Sequence, residues 1–220
     1  MLLRICLYLF LLFLPANYTI TKSSSPLIPA DPAAAMSSVC RQLYTDMQLD
    51  NVVDYTAFEQ AITGSQAIER RNKDIITLID FTKPSTEERL YVLDIRHKRL
   101  LFSSLVSHGK NSGGNYATSF SNKVNSYKSS LGFFVTENTY QGKNGYSLVL
   151  NGLEKGINDR AKERAIVVHG ASYCSPSVAV STGRLGRSFG CPALPQSLAK
   201  PIINTCLLYT SPSPRDKRQS

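Results

Sequence analysis

The chain has 220 residues, 42% of them apolar and 19% charged, with a formal net charge of +9. That length supports one domain with a sizeable core and is tight for two, and the composition excludes a collagen-like or wholly disordered chain. A basic surface suits an acidic partner such as a cell-wall polymer. No Lys/Arg run interleaved with aromatics occurs, so nucleic acid is not an expected partner.

The N-terminus reads as an export signal over residues 1–16. Met1 to Arg4 carries one positive charge, Ile5 to Leu14 is almost purely apolar, and Pro15-Ala16 places a small residue at the expected cut. The apolar run is shorter than the roughly 20 residues of a membrane span, so no span is expected after cleavage. An uncleaved interfacial anchor is the competing reading. Cys6 lies inside the run rather than just after it, which does not suit a lipoprotein anchor. Residues 17–37, rich in Ser, Pro and Ala between Thr21 and Ala35, read as a flexible tether. The expected location is the periplasm or cell envelope.

The folded domain is expected over 38–205. Apolar residues at helical spacing (Leu43 and Met47, then Tyr55, Phe58 and Ile62) predict helices over Val39–Gln48 and Asp54–Arg70, with Asp54 as N-cap and Gly64 weakening the second. From Ile75 the pattern becomes β-branched and apolar. Strands are predicted at Ile75–Phe81, Leu90–Ile95 and Leu100–Val106, with Arg96-His97-Lys98 as a turn. Two more are expected at Leu131–Thr136 and Tyr146–Leu150, joined by a turn at Asn144-Gly145. Asn158-Asp159 is read as the cap of a short polar helix through Arg164. Ala165–Val168 follows as a buried strand delivering His169, and Pro195–Asn204 as a final helix with proline in its first turn. The expected fold class is therefore mostly β with accessory helices. Residues 206–220 break abruptly into a proline- and charge-rich segment. It reads either as an ordinary disordered end or as a junction foreign to the gene, and its composition favours the second.

Beyond the signal the cysteines are Cys40, Cys174, Cys191 and Cys206. Their spacing matches no dense disulfide framework and, with only three histidines, no zinc pattern, so neither metal nor cofactor is expected. Cys174 is free or paired with Cys40; a bridge to Cys191 would silence that thiol. Cys191 stands apart, in Gly183-Arg184-Leu185-Gly186-Arg187-Ser188-Phe189-Gly190-Cys191-Pro192-Ala193. Glycines let the backbone bend and bring amide groups close to a reacting carbonyl, and arginines favour the reactive thiolate. A nucleophile or a structural thiol both fit that composition. His169, at the end of a buried strand before Gly170, is the candidate base, against the commoner reading of a structural histidine.

His169-Gly170 and Ser188-Phe189-Gly190-Cys191-Pro192-Ala193 resemble the active-site signature of the L,D-transpeptidases, the YkuD-like group, and most closely its murein L,D-transpeptidase catalytic domain branch. The likeness extends over roughly Leu90 to Asn204 and includes Ser107 to Gly114, Phe120-Ser121-Asn122, Asn151 to Glu154 and Asn158 to Ala161. The resemblance implies a β-rich catalytic domain in which Cys191 attacks a peptidoglycan stem tetrapeptide, terminal D-alanine leaves, and a neighbouring stem amine resolves the acyl-enzyme as a 3→3 cross-link. It implies His169 as base, oriented by the Gly170 carbonyl. The backbone N–H groups of Gly190 and Cys191 are the expected oxyanion donors. Arg187, Ser188, His108 and Tyr173 are the expected substrate contacts, Arg187 by pairing with a stem carboxylate.

One departure stands out: the broader family carries histidine where this chain has Phe189, and His108, on its own Gly-rich loop, is the candidate to fill that gap unless it is simply a solvated loop residue. Hydrolysis by the same pair, as an L,D-carboxypeptidase, is the nearest alternative. A cell-wall binding protein without catalysis would need neither Cys191 nor His169, and a papain-like protease lacks a matching motif. Nothing in the sequence speaks to an oligomeric state.

Overall fold

The computed structural model describes residues 32–68 and 74–207. The expected export signal, most of the expected tether and the segment from 208 onward lie outside the described residues. In chain order the elements are α1 (Pro32–Asp46), α2 (Tyr55–Gln66), β1 (Ile75–Ile79), β2 (Leu90–Asp94), β3 (Arg99–Ser104), β4 (Phe134–Gly142), β5 (Gly145–Gly152), β6 (Val167–Gly170), a 3-10 turn at Ser172–Cys174, α3 (Pro176–Thr182), β7 (Ala193–Leu194) and α4 (Gln196–Leu207). Helix and strand contribute about equally, so the domain is a mixed α and β structure rather than a mostly β one. Among the described residues no helix is long and apolar enough to cross a membrane.

The strands form two sheets, β1-β2-β3 and β4-β5-β6-β7; all pairs are antiparallel except β6 with β7. Strand β2 is buried along its whole length because both of its faces are covered. Tyr91 and Leu93 join Tyr44, Phe58 and Ile62 of α1 and α2, whereas Leu90 and Val92 join Leu194, Ala199 and Ile202 of β7 and α4. Period-two alternation between two apolar partners produces the unbroken hydrophobic run seen in the sequence.

Asp54 caps α2 as its position predicts: its carboxylate accepts the Ala57 N–H at 2.9 Å, and the helix runs past Gly64 to Gln66. Gly142 pairs with Gly145 across Lys143-Asn144, and Gly145 takes a left-handed φ of 76° that closes the turn. The β4–β5 hairpin is offset from the expected one, since Leu131–Phe133 is irregular and the strand instead runs on through Gly142. The expected polar helix over 158–164 is a series of turns. Asn158 does not cap forward: its Oδ1 accepts the Glu154 N–H, and its Nδ2 donates to the carbonyls of Leu131 and Phe133. Its amide thus pins two loops together, and the chain reverses at Ala165 with φ 53°.

Helix α3 has no counterpart among the sequence expectations, although its punctuation is legible. Ser175 accepts the Val178 N–H, Pro176 follows as the first helical residue, and Gly183 ends the helix at φ 70°. Helix α4 extends through Leu207. Cys206 sits between the sheets, its sulfur 3.2 Å from Thr77 Oγ1 of β1 and its carbonyl accepting Thr136 Oγ1 of β4 at 3.3 Å. Cys206 and Leu207 are therefore part of the folded domain.

The cap on α2 offers a check of this frame. Replacing Asp54 by Ala is expected to lower stability by about 1 kcal/mol, with Asp54→Asn nearly neutral. Urea denaturation of the three proteins reads it as a shift in midpoint at constant slope.

Candidate active site

The site is built where β6, the segment 185–194 and the segment 106–110 run side by side. His169 pairs with Ala193 and Gly170 with Leu194 in the parallel register of β6 and β7. On its other side the same segment is stitched to the chain after β3: Ser107 N–H donates to Ala193 O, Ser188 N–H to His108 O, and Lys110 N–H to Ser188 O. Extending the β6–β7 register back by two residues puts Cys191 beside Val167, and the Val167 N–H points at Cys191 Sγ, 3.5 Å away.

The turn before Cys191 is held by Ser188. This side chain is buried, its Oγ donating to Cys191 O at 2.6 Å and accepting the Gly190 N–H at 3.0 Å. Its hydroxyl is thus spent inside the turn rather than offered to a substrate. Gly190, expected as an oxyanion donor, has its N–H engaged by that hydroxyl, which leaves the Cys191 N–H as the remaining donor of the pair. Gly190 adopts φ 126°, and a Cβ there would lie 2.8 Å from the Lys128 carbonyl oxygen, so both backbone and space demand glycine.

Cys191 is half-buried and free, as are Cys40, Cys174 and Cys206. Its thiol points toward the Ala165 carbonyl at 3.6 Å. Burial raises its pKa above the usual thiol value, opposed by the Val167 N–H and by the charge of Arg164. The arginines flanking the cysteine in sequence do not play that part. Arg184 Nη1 donates to Leu185 O, and Arg187 Nη1 donates to the carbonyls of Lys110 and Gly113, both at 2.9 Å. The influential cation is Arg164, which the sequence reading missed. It lies in the turn before β6, and its guanidinium donates to Ser121 O, Ser130 Oγ and Lys128 O.

His169 is buried, and its Nδ1 lies 3.0 Å from Gly170 O. A carbonyl only accepts, so Nδ1 carries the proton and Nε2 is the lone-pair nitrogen suited to a base. The resting thiol does not reach this ring; its hydrogen-bonding neighbours are Val167 and Ala165. Tyr173 is half-buried, with its carbonyl accepting the Gly186 N–H at 2.8 Å. Burial, with the Cys174 and Cys191 sulfurs nearby, pushes its phenol up to about 12.

His108 is neither solvated nor at the thiol. Its ring is 1% exposed, meets Phe81 edge-on, and its Nδ1 lies 2.9 Å from Arg89 Nη2. Arginine only donates, so Nδ1 is the acceptor and Nε2 bears the proton; that Nε2 is buried and makes no hydrogen bond. Arg89 is itself completely buried and donates to the carbonyls of Lys83 and Val106. Burial and the Arg89 charge hold His108 down at about 4. The residue is a neutral structural acceptor that anchors the segment leading to Lys110.

A cleft of about 1940 Å³ lies between the facing edges of β1 and β4 and touches Gly190 and Pro192, but neither Cys191 nor His169 lines it. The site is therefore placed by its chemistry rather than by cavity size. Among the described residues no group of three or more His, Cys, Asp or Glu side chains is placed to hold a metal ion.

In comparison with known families, the family model described as L,D-transpeptidase catalytic domain matches residues 49–208. No curated protein and no solved structure matches the chain.

Two measurements test these electrostatics. Unfolded histidine binds a proton near pH 6.5, whereas folded His108 stays neutral down to about 4. Its contribution to stability is therefore complete above pH 6.5 and is lost as pH falls toward 4, by on the order of 3 kcal/mol. Urea unfolding at pH 7 and pH 4.5 is expected to show a shallower pH dependence in His108→Gln than in the wild type. Removing the Arg164 charge leaves burial less opposed and raises the Cys191 pKa further. Alkylation of the Cys191 peptide by iodoacetamide, followed by mass spectrometry, is expected to slow several-fold at pH 8 in Arg164→Met and to shift to higher pH.

Proposed function

This chain belongs to the L,D-transpeptidase catalytic domain family, and from that premise we propose that it is an exported enzyme of the cell envelope. In this reading it forms 3→3 cross-links between peptidoglycan stem peptides. The observation that carries the proposal is the tautomer-fixed His169 on the strand that pairs with the Cys191 segment. Its Nδ1–H is held by Gly170 O, which leaves Nε2 as the free base on the ring.

The reaction follows from these positions. Binding of the donor stem turns Cys191 Sγ away from the Ala165 carbonyl, and Nε2 of His169 takes the thiol proton. The thiolate adds to the carbonyl of the third stem residue. The oxygen that gains charge is met by the Cys191 N–H, since the Gly190 N–H is occupied by Ser188. The C–N bond to terminal D-alanine then breaks, and the departing amine takes the proton from His169, leaving a thioester. A side-chain amine of a second stem, deprotonated by His169, attacks the thioester; the new amide forms and the thiol is regenerated. Arg164 supports the charged sulfur, and Ser188 fixes the turn that presents it. The basic character of the chain suits an anionic wall polymer.

Purified protein incubated with disaccharide-tetrapeptide and analysed by mass spectrometry is expected to give a cross-linked dimer lacking one D-alanine. Tripeptide alone would assign the acceptor to water and make the chain an L,D-carboxypeptidase. Absence of turnover by the wild type, or equal turnover by Cys191→Ala, would overturn the catalytic reading.

A further inference from the structure

Beside the nucleophile, on the rim formed by residues 110 and 187–189, stands a cluster with no assigned role. Phe189, two residues before Cys191, is 65% exposed, and its ring packs against that of Tyr127 with centroids 4.9 Å apart. The ammonium of Lys110 sits over both rings, 4.3 Å from the Tyr127 centroid and 4.7 Å from that of Phe189. An exposed phenylalanine against an exposed lysine is a poor hydrophobic contact but a good cage for a cation.

Three further observations indicate that the cage is built. Tyr127 holds a left-handed backbone, φ 55°, which a tyrosine adopts only where its surroundings impose it. Its carbonyl accepts the Asn111 N–H at 3.1 Å, fixing the loop on the residue next to Lys110. The backbone of Lys110 is tied at both polar groups, its N–H to Ser188 O and its carbonyl to Arg187 Nη1. Its side chain therefore starts from a fixed point tied to the neighbouring segment that carries the cysteine.

The charge on this rim is unanswered. Neither Lys110 nor Arg187 makes an ion pair among the described residues, although six other pairs form there. Arg187 has Nη1 committed to two carbonyls and so serves partly as a clip on the 110–113 loop. That leaves Lys110 as the cation presented without a hydrogen-bonding duty on its own side chain. A carboxylate is the complement of a caged ammonium at the mouth of a peptide-acyl site.

We propose that Lys110, caged by Phe189 and Tyr127, is a specificity-determining residue that binds a carboxylate of the stem peptide beside Cys191. This rests on the peptide-acyl transfer proposed above, and it moves the principal carboxylate contact from Arg187 to Lys110. In the donor tetrapeptide the terminal carboxylate is separated from the scissile amide by a single α-carbon, so it is the first candidate. A side-chain carboxylate of the third residue is the other source of the same chemistry. Phe189 and Tyr127 are positioning residues that act through the ammonium.

The test compares the tetrapeptide with its C-terminal amide and its side-chain amide, by kcat/KM in the wild type and by calorimetric binding to Cys191→Ala. The wild type is expected to prefer the free acid over one of the two amides by roughly tenfold to a hundredfold, the value of a hydrogen bond to a charged group. Whichever amide loses identifies the carboxylate. Lys110→Met is expected to bring that ratio to about one, through KM rather than kcat, and Lys110→Arg to restore part of it. Phe189→Leu is expected to weaken the preference, and Phe189→Trp to retain it. An undiminished preference in Lys110→Met, equal treatment of all three peptides by the wild type, or no binding of any peptide would overturn the proposal. Acid-selective binding that depends on Lys110 without turnover would support this site while the transfer reading fails.

Discussion

Everything at the site depends on a parallel pairing only two residues long. β7, Ala193–Leu194, lies between β6 and the segment after β3, and its hydrogen bonds go to both. A strand that short has no stability of its own. It is held because Leu194 is buried with Leu90 and Val92 of β2 and with Ala199 and Ile202 of α4, so the apolar core of the first sheet fixes the register of the second. A one-residue slip would move Cys191 away from Val167 and turn its side chain to the opposite face. The geometry of the thiol is thus a consequence of packing some distance from it.

Around that pairing, polar groups are buried in two different ways. Arg89 and His108 form a neutral-to-charged contact sealed from water, in which a permanent cation fixes the tautomer of its neighbour and holds it uncharged. They anchor the segment that leads to Lys110. At Cys191 the balance is left open: burial favours the thiol, while Arg164 and the Val167 N–H favour the thiolate. A thiol that stays neutral at rest avoids the cost of a permanently desolvated anion.

Local signals in the chain were informative wherever a residue's own chemistry decides the outcome. The Asp54 cap, the turn closed by Gly145, the buried run of β2 and the early strands were legible from residue type and spacing. So was α3 in principle, since Ser175-Pro176 and Gly183 mark both of its ends. The polar helix expected after Asn158 was misread because an asparagine amide can bond backward to loops as readily as forward to a helix, and only the positions of Leu131 and Phe133 settle which. The same holds for charge: Arg184 and Arg187 flank Cys191 in sequence, yet the charge acting on the sulfur comes from Arg164, 27 positions away in the chain and adjacent in space.

The sequence by itself determined the order in which His169, Gly190 and Cys191 stand, and residues 49–208 match the L,D-transpeptidase catalytic domain family. A left-handed glycine before a thiol and a histidine before a glycine are local requirements, and local requirements are written in residue types. The tertiary structure alone decided which cation reaches the sulfur, that His108 is sealed against Arg89, that Ser188 holds the turn instead of a substrate, and that Phe189 and Tyr127 enclose Lys110. Those outcomes are set by which distant segments pack together, and hydrogen-bond direction and charge distance have no expression in a linear order of side chains.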